Sequence, residues 1–327
     1  MRVIVHGVGA VGGAIAARLA LSGQEVVGIA RGAQLAAIRA DGLLLRDPDR
    51  AQRARFECVA DPGEIDFRPD DAIVLTMKTQ DTGAALDRLR AAGVAGQPIF
   101  CAQNSVANEG LALRRFPNVH AVTVMMPATY RVPGEVAVFA TPHPGIFEIG
   151  RYPIGTDADD ERLAAAFEAA GFAAFVLPDT MQGKYGKLLM NLHNIVEAAL
   201  GRAADTRRID DLLRAEARAA LVAAGIPWRD VGAIDPRRDA LMRQRPVAGV
   251  ERAGGSSTQS LLRGAGSIET DWLNGEIVLL GRLHGVPTPA NAFFLDLSAR
   301  MLREGIPAGG MPRDAVEAGL AAAGAAV

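Results

Sequence analysis

Cysteine is scarce in this sequence, which contains only Cys58 and Cys101 among 327 residues. Two cysteines cannot build a disulfide framework or a cysteine-based zinc site, so we expect no metal centre and a reducing, cytoplasmic compartment. No uninterrupted apolar run reaches the roughly 18 residues that a membrane-spanning helix needs. The first strand is expected to begin at residue 2, which leaves no room for a signal peptide.

Neither sign of charge is in excess. The chain has 35 lysine and arginine residues against 37 aspartate and glutamate residues, and its formal net charge is −2. Since no long basic run occurs, we expect neither a nucleic-acid partner nor an anionic membrane partner. The length of 327 residues and a hydrophobic share of 49% predict a globular chain of two domains with an ample core.

A glycine-rich turn stands near the start of the chain. Residues 2–6 form an apolar run typical of a buried strand, helical periodicity runs from Ala10 to Leu21, and a second apolar run covers 25–30. The G-x-G-x-x-G turn consists of Gly7, Val8, Gly9, Ala10, Val11 and Gly12. In this context the glycines permit a tight turn, a close backbone approach to a pyrophosphate and close helix packing. The pattern predicts a dinucleotide site, and a glycine-rich turn in another α/β protein is the alternative.

The residue at the end of the second strand indicates which dinucleotide binds. NAD sites usually carry Asp or Glu there to hold the ribose 2′-hydroxyl, whereas this chain has Arg31. A guanidinium attracts the 2′-phosphate of NADP, so the sequence favours NADP(H). The alternative is a solvated surface arginine.

Strand and helix signals alternate over the first half of the chain, which predicts a parallel, doubly wound sheet. Lys78 and Asn104 each follow a strand in this pattern. Ligands of such sheets lie at the carboxyl ends of strands, so both side chains are candidates for the site. A solvated loop lysine and a turn-capping asparagine are the ordinary alternatives.

Helix signals dominate after Pro178 and Asp179, with almost no strand signals. The predicted fold class is therefore α/β, with an N-terminal Rossmann-like doubly wound sheet followed by an all-α C-terminal domain. We expect an NADP-binding domain over residues 1–178 and a helical domain with substrate-binding and catalytic residues over 179–327.

One predicted helix of the second domain carries a single polar stripe. Lys184, Lys187, Asn191 and Asn194 fall within an arc of roughly 80°, and apolar residues fill most of the remaining circumference. A helix this apolar should be buried, so its polar line must face a cavity, a partner or an internal hydrogen-bond network. A lysine there can have a lowered pKa and donate a proton. Alternatively, Lys187 pairs with an acid and the asparagines tie helices together.

A second polar set lies downstream. Residues 254–258 read as a flexible turn with hydroxyl groups, and 267–271 read as the start of a helix with acids in its first turn. Acids at that place often only complement the helix dipole, which accounts for Asp271 and leaves Glu269 open.

In the order of these residues the chain resembles the 2-dehydropantoate 2-reductase (ketopantoate reductase) family over nearly its whole length. The matching features are the 7–12 glycine turn, Arg31, Lys78, Gln103, Asn104, the run 187–191, Ser256, Ser257 and Glu269. The resemblance implies an NADPH-dependent reduction of a 2-oxo acid to a 2-hydroxy acid, most directly of 2-dehydropantoate to pantoate.

The resemblance also implies a role for each matching side chain. Lys187 would give a proton to the developing alkoxide, and Asn104 would bridge cofactor and substrate. Asn191 and Ser257, with Asn194 beside them, would hold the substrate. Glu269 would lie at the nicotinamide ribose, while Arg31 and Lys78 would serve the adenosine end.

Two departures from the family pattern affect the substrate side. The family commonly has glycine after the asparagine matched to Asn104, where this chain has Ser105. It also commonly has a second asparagine where this chain has Ile195, with Asn194 one position earlier. Two alternatives therefore stay open: a 2-hydroxy acid dehydrogenase for a bulkier aromatic or branched substrate, and an NADP-binding protein without turnover. The sequence leaves a homodimer open as well.

Overall fold

The computed structural model describes residues 1–130, 132–232 and 235–325. The chain forms two compact units. The first contains Met1–Lys184 and Asp230–Arg252, and the second contains Tyr185–Arg229 and Ala253–Val327. Among the described residues, no helix combines the length and apolar character needed to cross a membrane.

The strands of the described residues are β1 (Arg2–His6), β2 (Val26–Ile29), β3 (Leu43–Arg46), β4 (Ala51–Ala54), β5 (Glu57–Val59), β6 (Asp71–Leu75), β7 (Ile99–Cys101), β8 (Val119–Met125), β9 (Ala128–Tyr130), β10 (Glu135–Val138), β11 (Ala140–Pro142), β12 (Ile146–Arg151), β13 (Ala173–Val176) and β14 (Met242–Gln244). The helices are α1 (Ala10–Leu21), α2 (Gly32–Asp41), α3 (Thr79–Ala91), α4 (Asn108–Leu113), α5 (Ala158–Ala169), α6 (Thr180–Asn191), α7 (His193–Leu200), α8 (Arg207–Ala223), α9 (Pro236–Leu241), α10 (Ser256–Leu262), α11 (Asn274–His284), α12 (Pro289–Glu304) and α13 (Arg313–Ala322). Short 3-10 helices cover Pro62–Glu64 and Thr270–Trp272.

The first unit is built on an eight-stranded sheet in the order β13-β12-β8-β7-β6-β1-β2-β5. Its neighbouring strands run parallel except for the β12–β8 pair. β1 pairs with β2 on one side and with β6 on the other, so the chain reverses its winding direction at β1. The carboxyl ends of these three strands therefore meet at the switch point where doubly wound sheets bind ligands.

Every residue of β1 is buried, since helices cover the sheet on both faces. Val3 and Val5 belong to one core cluster, which includes residues of α1 and α5. Ile4 points to the opposite face and packs in a second cluster with residues of α3. This two-sided burial explains why the strand reads as a continuous apolar run.

The second unit is helical throughout its described residues. A buried carboxylate holds two of its helices together: Glu216 of α8 accepts hydrogen bonds from the backbone N–H groups of Ala290 and Asn291, at 2.8 and 3.0 Å. Since Thr288, the residue before α12, makes no side-chain cap, Glu216 satisfies N–H groups that the helix start leaves unpaired. The amide of Asn291 also donates to Glu216 at 2.8 Å.

Residues 230–252 lie in the first unit, whereas the sequence-based division places them in the second domain. β14 pairs with β11 in a small antiparallel sheet, and Arg237 forms an ion pair with the buried Glu148 of β12. This strand pairing joins residues about 100 positions apart in the chain. Local periodicity does not indicate that a later segment pairs with a strand of the first unit. The domain division at residue 178 stays a prediction.

Candidate active site

A different steric condition favours glycine at each of the three glycine positions of the 7–12 turn. Gly7 has φ +105°, and a Cβ there would lie 2.6 Å from the backbone nitrogen of Met77. A Cβ at Gly12 would lie 2.3 Å from both the Gly7 carbonyl oxygen and the hydroxyl oxygen of Thr76. A Cβ at Gly9 would meet no heavy atom within 4 Å, so this glycine leaves open space beside the backbone. The turn thus has a tight base and an open rim, which fits a phosphate group approaching Gly9.

The start of α1 is suited to an anion. Gly9 precedes the helix without a side-chain cap, and the first turn contains no acidic residue. The N–H groups of a first helical turn have no partner within the helix and carry the positive end of its dipole. Together with the open space at Gly9, this arrangement can hold the pyrophosphate of a dinucleotide.

Two residues that the sequence reasoning missed hold the glycine turn in place. The hydroxyl oxygen of Thr76, after β6, lies 2.8 Å from the Gly7 carbonyl oxygen. The amide of Gln34, on α2, donates to the Val8 carbonyl at 3.0 Å and accepts from the Gly134 N–H at 2.7 Å. A polar residue directly after a strand is a recognisable signal for Thr76, whereas the sequence offers none for Gln34.

The buried His6 directly precedes the turn. Burial, together with the positive charges of Arg31 and Arg88, lowers the pKa of its imidazole to about 4. The ring is therefore neutral at physiological pH. Arg31 itself is exposed and is the second residue beyond β2, immediately before α2. Because β2 lies beside β1 in parallel register, Arg31 and the glycine turn lie at the same edge of the sheet.

Lys78 and Asn104 lie at this edge too, after the neighbouring strands β6 and β7. The Asn104 carbonyl accepts hydrogen bonds from the amide of Asn108 at 3.0 Å and the hydroxyl of Thr79 at 3.3 Å. Thr79 is adjacent to Lys78 in the chain. The structure therefore brings together the four positions of the first unit that the sequence predicted at one edge: the glycine turn, Arg31, Lys78 and Asn104.

Ser105 keeps a backbone conformation that favours glycine. Its φ is +76°, and it is the one non-glycine residue with positive φ among the described parts of the chain. Its hydroxyl oxygen accepts the Ala107 N–H at 3.2 Å, and its side chain is buried. Ser105 thus has the left-handed backbone that the glycine common in the family would adopt without strain, and it adds a buried hydroxyl group.

Lys184 accounts for one member of the polar stripe. Its ammonium donates to the Cys101 carbonyl at 2.8 Å and pairs with the carboxylate of Glu109, and both side chains are buried. The predicted alternative named Lys187 as the lysine paired with an acid, whereas the acid-paired stripe lysine described here is Lys184. Lys187, one turn later on α6, is half-buried. Its proton-donor role stays a prediction.

The helix predicted to carry the stripe is assigned as two helices that are separated by one residue, since α6 ends at Asn191 and α7 begins at His193. Leu192 between them keeps helical dihedral angles (φ −57°, ψ −30°), and its N–H donates to the Leu188 carbonyl at 3.2 Å, so the backbone stays helical there. The amide of Asn274 donates to the carbonyl of the intervening Leu192 at 3.4 Å. The side-chain nitrogen of Asn191 is buried and has no hydrogen-bond partner among the described residues.

The two serines after Gly255 differ in their hydrogen bonds. Ser256 is the first residue of α10, and its hydroxyl accepts from the amide of Asn194 at 3.1 Å. Ser257 is 2% exposed, and its hydroxyl has no partner within the described parts of the chain. Glu197 accepts from the Gly255 N–H at 2.7 Å, which fixes the start of α10 against α7. The predicted flexible turn over 254–258 is thus a helix start.

Residue 195, where the family commonly has asparagine and this chain has isoleucine, does not lie on the same side of the helix as Asn194. Ile195 is 1% exposed and belongs to the core, whereas Asn194 is half-buried and faces Ser256. Glu269 is buried and precedes the 3-10 helix Thr270–Trp272, while α11 begins only at Asn274. The helix predicted to begin at 267 therefore starts later, and Glu269 lies ahead of it.

Lysine usage is a signal that the sequence reasoning did not use. Of the 35 basic residues, 32 are arginine and only three are lysine: Lys78, Lys184 and Lys187. All three occur at positions discussed above. An ammonium is a compact point charge, and a planar guanidinium does not substitute for it at every site, so the three lysines are the candidates for such a role.

Comparison with known proteins agrees with this arrangement. The family model for ketopantoate reductase PanE/ApbA matches residues 3–153, and the model for its C-terminal part matches residues 179–301. The chain is 26% identical to the 2-dehydropantoate 2-reductase of Halobacterium salinarum, covering 93% of this chain and 100% of that protein. It is 29% identical to the enzyme of that name from Mesorhizobium japonicum, covering 93% and 98%.

Solved structures share the fold. A PanE/ApbA family ketopantoate reductase from Ralstonia eutropha has a TM-score of 0.76 and 27% identity, with 93% of this chain and 99% of that chain covered. A ternary structure of D-mandelate dehydrogenase with NADH and anilino(oxo)acetate has a TM-score of 0.77, 22% identity and the same coverage, and it is similar in fold. With both parts of its length matched by the family models, the chain belongs to the ketopantoate reductase PanE/ApbA family of nicotinamide-dependent oxidoreductases.

Proposed function

We propose that this protein uses NADPH to reduce a 2-oxo acid to the 2-hydroxy acid, with 2-dehydropantoate as the first substrate to test and pantoate as its product. One observation carries the substrate side: Asn191 and Ser257 each keep a buried donor without a partner among the described residues. Buried donors of this kind are costly unless a ligand satisfies them. The oxygen atoms of a 2-oxo carboxylate are suitable acceptors for both.

In this proposal the first unit binds the phosphate groups and the adenosine end of the cofactor. The turn at Gly7–Gly12 and the start of α1 bind the pyrophosphate, and Arg31 and Lys78 bind the adenosine 2′-phosphate. Asn104 and Glu269 orient the nicotinamide end. The bound nicotinamide would supply the hydride. NADPH is preferred over NADH because a guanidinium, rather than a carboxylate, follows β2.

Lys187 supplies the proton in this reaction. Its ammonium donates to the oxygen of the 2-oxo group as the carbonyl carbon becomes a CH–OH centre, and the resulting neutral amine takes a proton back from solvent. Asn191, Asn194 and Ser257 orient the carboxylate and the carbonyl. General acid catalysis of this kind contributes about 10²- to 10⁴-fold to a rate.

The test is a panel of 2-oxo acids scored by loss of NADPH absorbance and repeated with NADH. We expect turnover with 2-dehydropantoate or a related branched acid, and a much weaker rate with NADH. If no branched or aromatic 2-oxo acid oxidises NADPH, the proposal is wrong. Binding of NADPH without turnover would then favour a cofactor-binding protein.

A second candidate is a dehydrogenase of a bulkier, aromatic 2-hydroxy acid. In the sequence, Ser105 and Ile195 motivate it because each replaces a residue common in the family, and of the two Ser105 lies directly beside Asn104, whereas Ile195 is in the core. The D-mandelate dehydrogenase neighbour shares the fold of this chain. Comparing kcat/KM for 2-dehydropantoate and benzoylformate separates the two candidates. A cytoplasmic location and a homodimer stay predictions.

A further inference from the structure

Lys184 is a buried charge that the proposed reaction does not use. Its side chain is 3% exposed, and the carboxylate of its partner Glu109 is 0% exposed. Replacing a buried ion pair with apolar side chains is often neutral or stabilising, so stability alone does not explain why this pair is present. It is also one of only three lysines in the chain.

The pair joins both ends of the loop that carries Asn104. Cys101, whose carbonyl accepts from Lys184 at 2.8 Å, is the last residue of β7. Glu109 lies in the first turn of α4, on the other side of the loop. One ammonium therefore fixes the loop where it leaves the sheet and where it enters the next helix. Asn108, beside Glu109, donates to the Asn104 carbonyl at 3.0 Å.

The same ammonium fixes a helix that carries a proposed catalytic residue. Lys184 lies in α6, and Lys187 follows three residues later in that helix. Residues three apart lie on neighbouring positions of one helical face. An ion pair has a directional hydrogen-bond geometry that an apolar contact lacks, so it fixes the rotation and register of this turn of α6 more closely.

We propose that Lys184, through Glu109 and the Cys101 carbonyl, is a positioning residue for 2-oxo acid reduction. It ties both ends of the Asn104 loop to α6, the helix in which Lys187 follows. This inference rests on the proposed function. It gives Lys184 no contact with substrate or cofactor.

The central test replaces the pair in the double variant Glu109→Leu/Lys184→Met, so that neither charge is left unpaired. We expect kcat to fall about tenfold or more, because small misplacements of reacting groups can cost up to about 10²-fold. The Kd for NADPH should stay within about twofold. A folded double variant with wild-type kcat and KM would overturn the proposal.

Two further variants keep the test decisive. Arg2→Met/Asp71→Leu removes a buried arginine–carboxylate pair of the first unit at the opposite edge of the sheet, and it should change Tm without changing kcat. If Glu109→Leu/Lys184→Met does not fold, Glu109→Gln decides instead, since it keeps the shape of the side chain and removes the charge. A folded Glu109→Gln variant with unchanged kcat contradicts a positioning role.

A spectroscopic readout separates this proposal from the proposed function. Reductive ¹³C-methylation labels a chain that has only three lysines, so the dimethylamine signal of Lys187 can be assigned from Lys187→Ala. We expect its chemical shift and titration midpoint to move in Glu109→Leu/Lys184→Met and to stay in place in Arg2→Met/Asp71→Leu. If no 2-oxo acid is reduced but the signal moves in this way, Lys184 still positions Lys187, and the reductase proposal alone fails. An unmoved signal refutes the positioning inference.

Discussion

The amide of Asn194 donates a hydrogen bond to the hydroxyl of Ser256 at 3.1 Å. This bond distinguishes Ser256 from the adjacent Ser257. Ser256 is committed to a protein partner. Ser257, the next residue, has a buried hydroxyl without a partner among the described residues. The unused donor is the reason why Ser257, rather than Ser256, is proposed to bind the substrate.

We therefore expect Ser257→Ala and Ser256→Ala to behave differently. Ser257→Ala should raise KM for the 2-oxo acid by roughly tenfold, since a lost hydrogen bond is worth about 1 to 1.5 kcal/mol. Ser256→Ala should lower the free energy of unfolding by about 1 kcal/mol and change KM little. Steady-state kinetics and urea denaturation of the two variants measure both effects. Equal KM values in both variants would contradict the assignment.

Lys187→Ala should lower kcat at least about 100-fold, since it removes the proposed proton donor. NADPH binding, measured by fluorescence titration, should remain. Lys78→Ala is the matched control, because it removes an ammonium proposed to bind the adenosine end. That variant should weaken NADPH binding and leave kcat at saturating cofactor within about threefold of wild type, since the proton donor is intact. If Lys78→Ala instead lowered kcat and Lys187→Ala instead weakened NADPH binding, the two assigned roles would be wrong.

Arg31→Ala should weaken NADPH binding by about 10- to 100-fold, because a hydrogen bond to a charged group is worth about 1.5 to 3 kcal/mol. NADH binding should hardly change, since NADH lacks the 2′-phosphate. Arg39→Ala offers a control on the same helix, where the side chain pairs with Glu64 at the surface. A parallel loss of both cofactors in Arg31→Ala would mean that the arginine does not select the phosphate.

Ser105→Gly and Ser105→Ala test the left-handed backbone at this turn. Glycine accommodates φ +76° without strain, whereas alanine keeps the strain and lacks the hydroxyl that accepts the Ala107 N–H. We expect Ser105→Gly to be more stable than Ser105→Ala by about 1 to 2 kcal/mol. Thermal unfolding of both proteins measures this difference. If alanine is the more stable of the two, the turn does not hold this conformation in solution.

The buried His6 should make stability fall in acid. Its pKa is about 4 in the folded protein and near 6.5 in the unfolded chain, so the unfolded state binds the proton more readily between these values. Its contribution is complete above about pH 6.5 and lost as pH falls toward 4, amounting to about 3 kcal/mol. Denaturation of wild type and His6→Gln across this range should show the loss only in wild type. Parallel pH curves would contradict a neutral buried ring.

Sequence reasoning succeeded where a local pattern has one physical solution. At Gly7 and Gly12 any side chain would collide with backbone or with Thr76, so the spacing alone identifies the turn. The positions of Arg31, Lys78 and Asn104 follow from the same logic, because parallel strands end at one edge. The roles of these side chains toward a cofactor stay predictions.

Sequence reasoning gave no access to contacts between residues that are distant in the chain. The carbonyl of Leu192 accepts a hydrogen bond from the amide of Asn274, 82 residues away, while the backbone at Leu192 keeps the predicted helical dihedral angles. The polar stripe likewise gave no way to tell its two lysines apart. Lys184 pairs with Glu109, 75 residues away in the chain.

The amino-acid sequence by itself determined the glycine turn, the two-sided burial of β1 and the family resemblance, because these depend on side-chain volume, φ preference and periodicity within a few residues. Only the tertiary structure decided which lysine is an anchor, which serine keeps an unused donor, and that residues 230–252 return to the first unit. Each of these depends on partners distant in sequence, and a buried polar group takes its role from the partner that satisfies it or is missing.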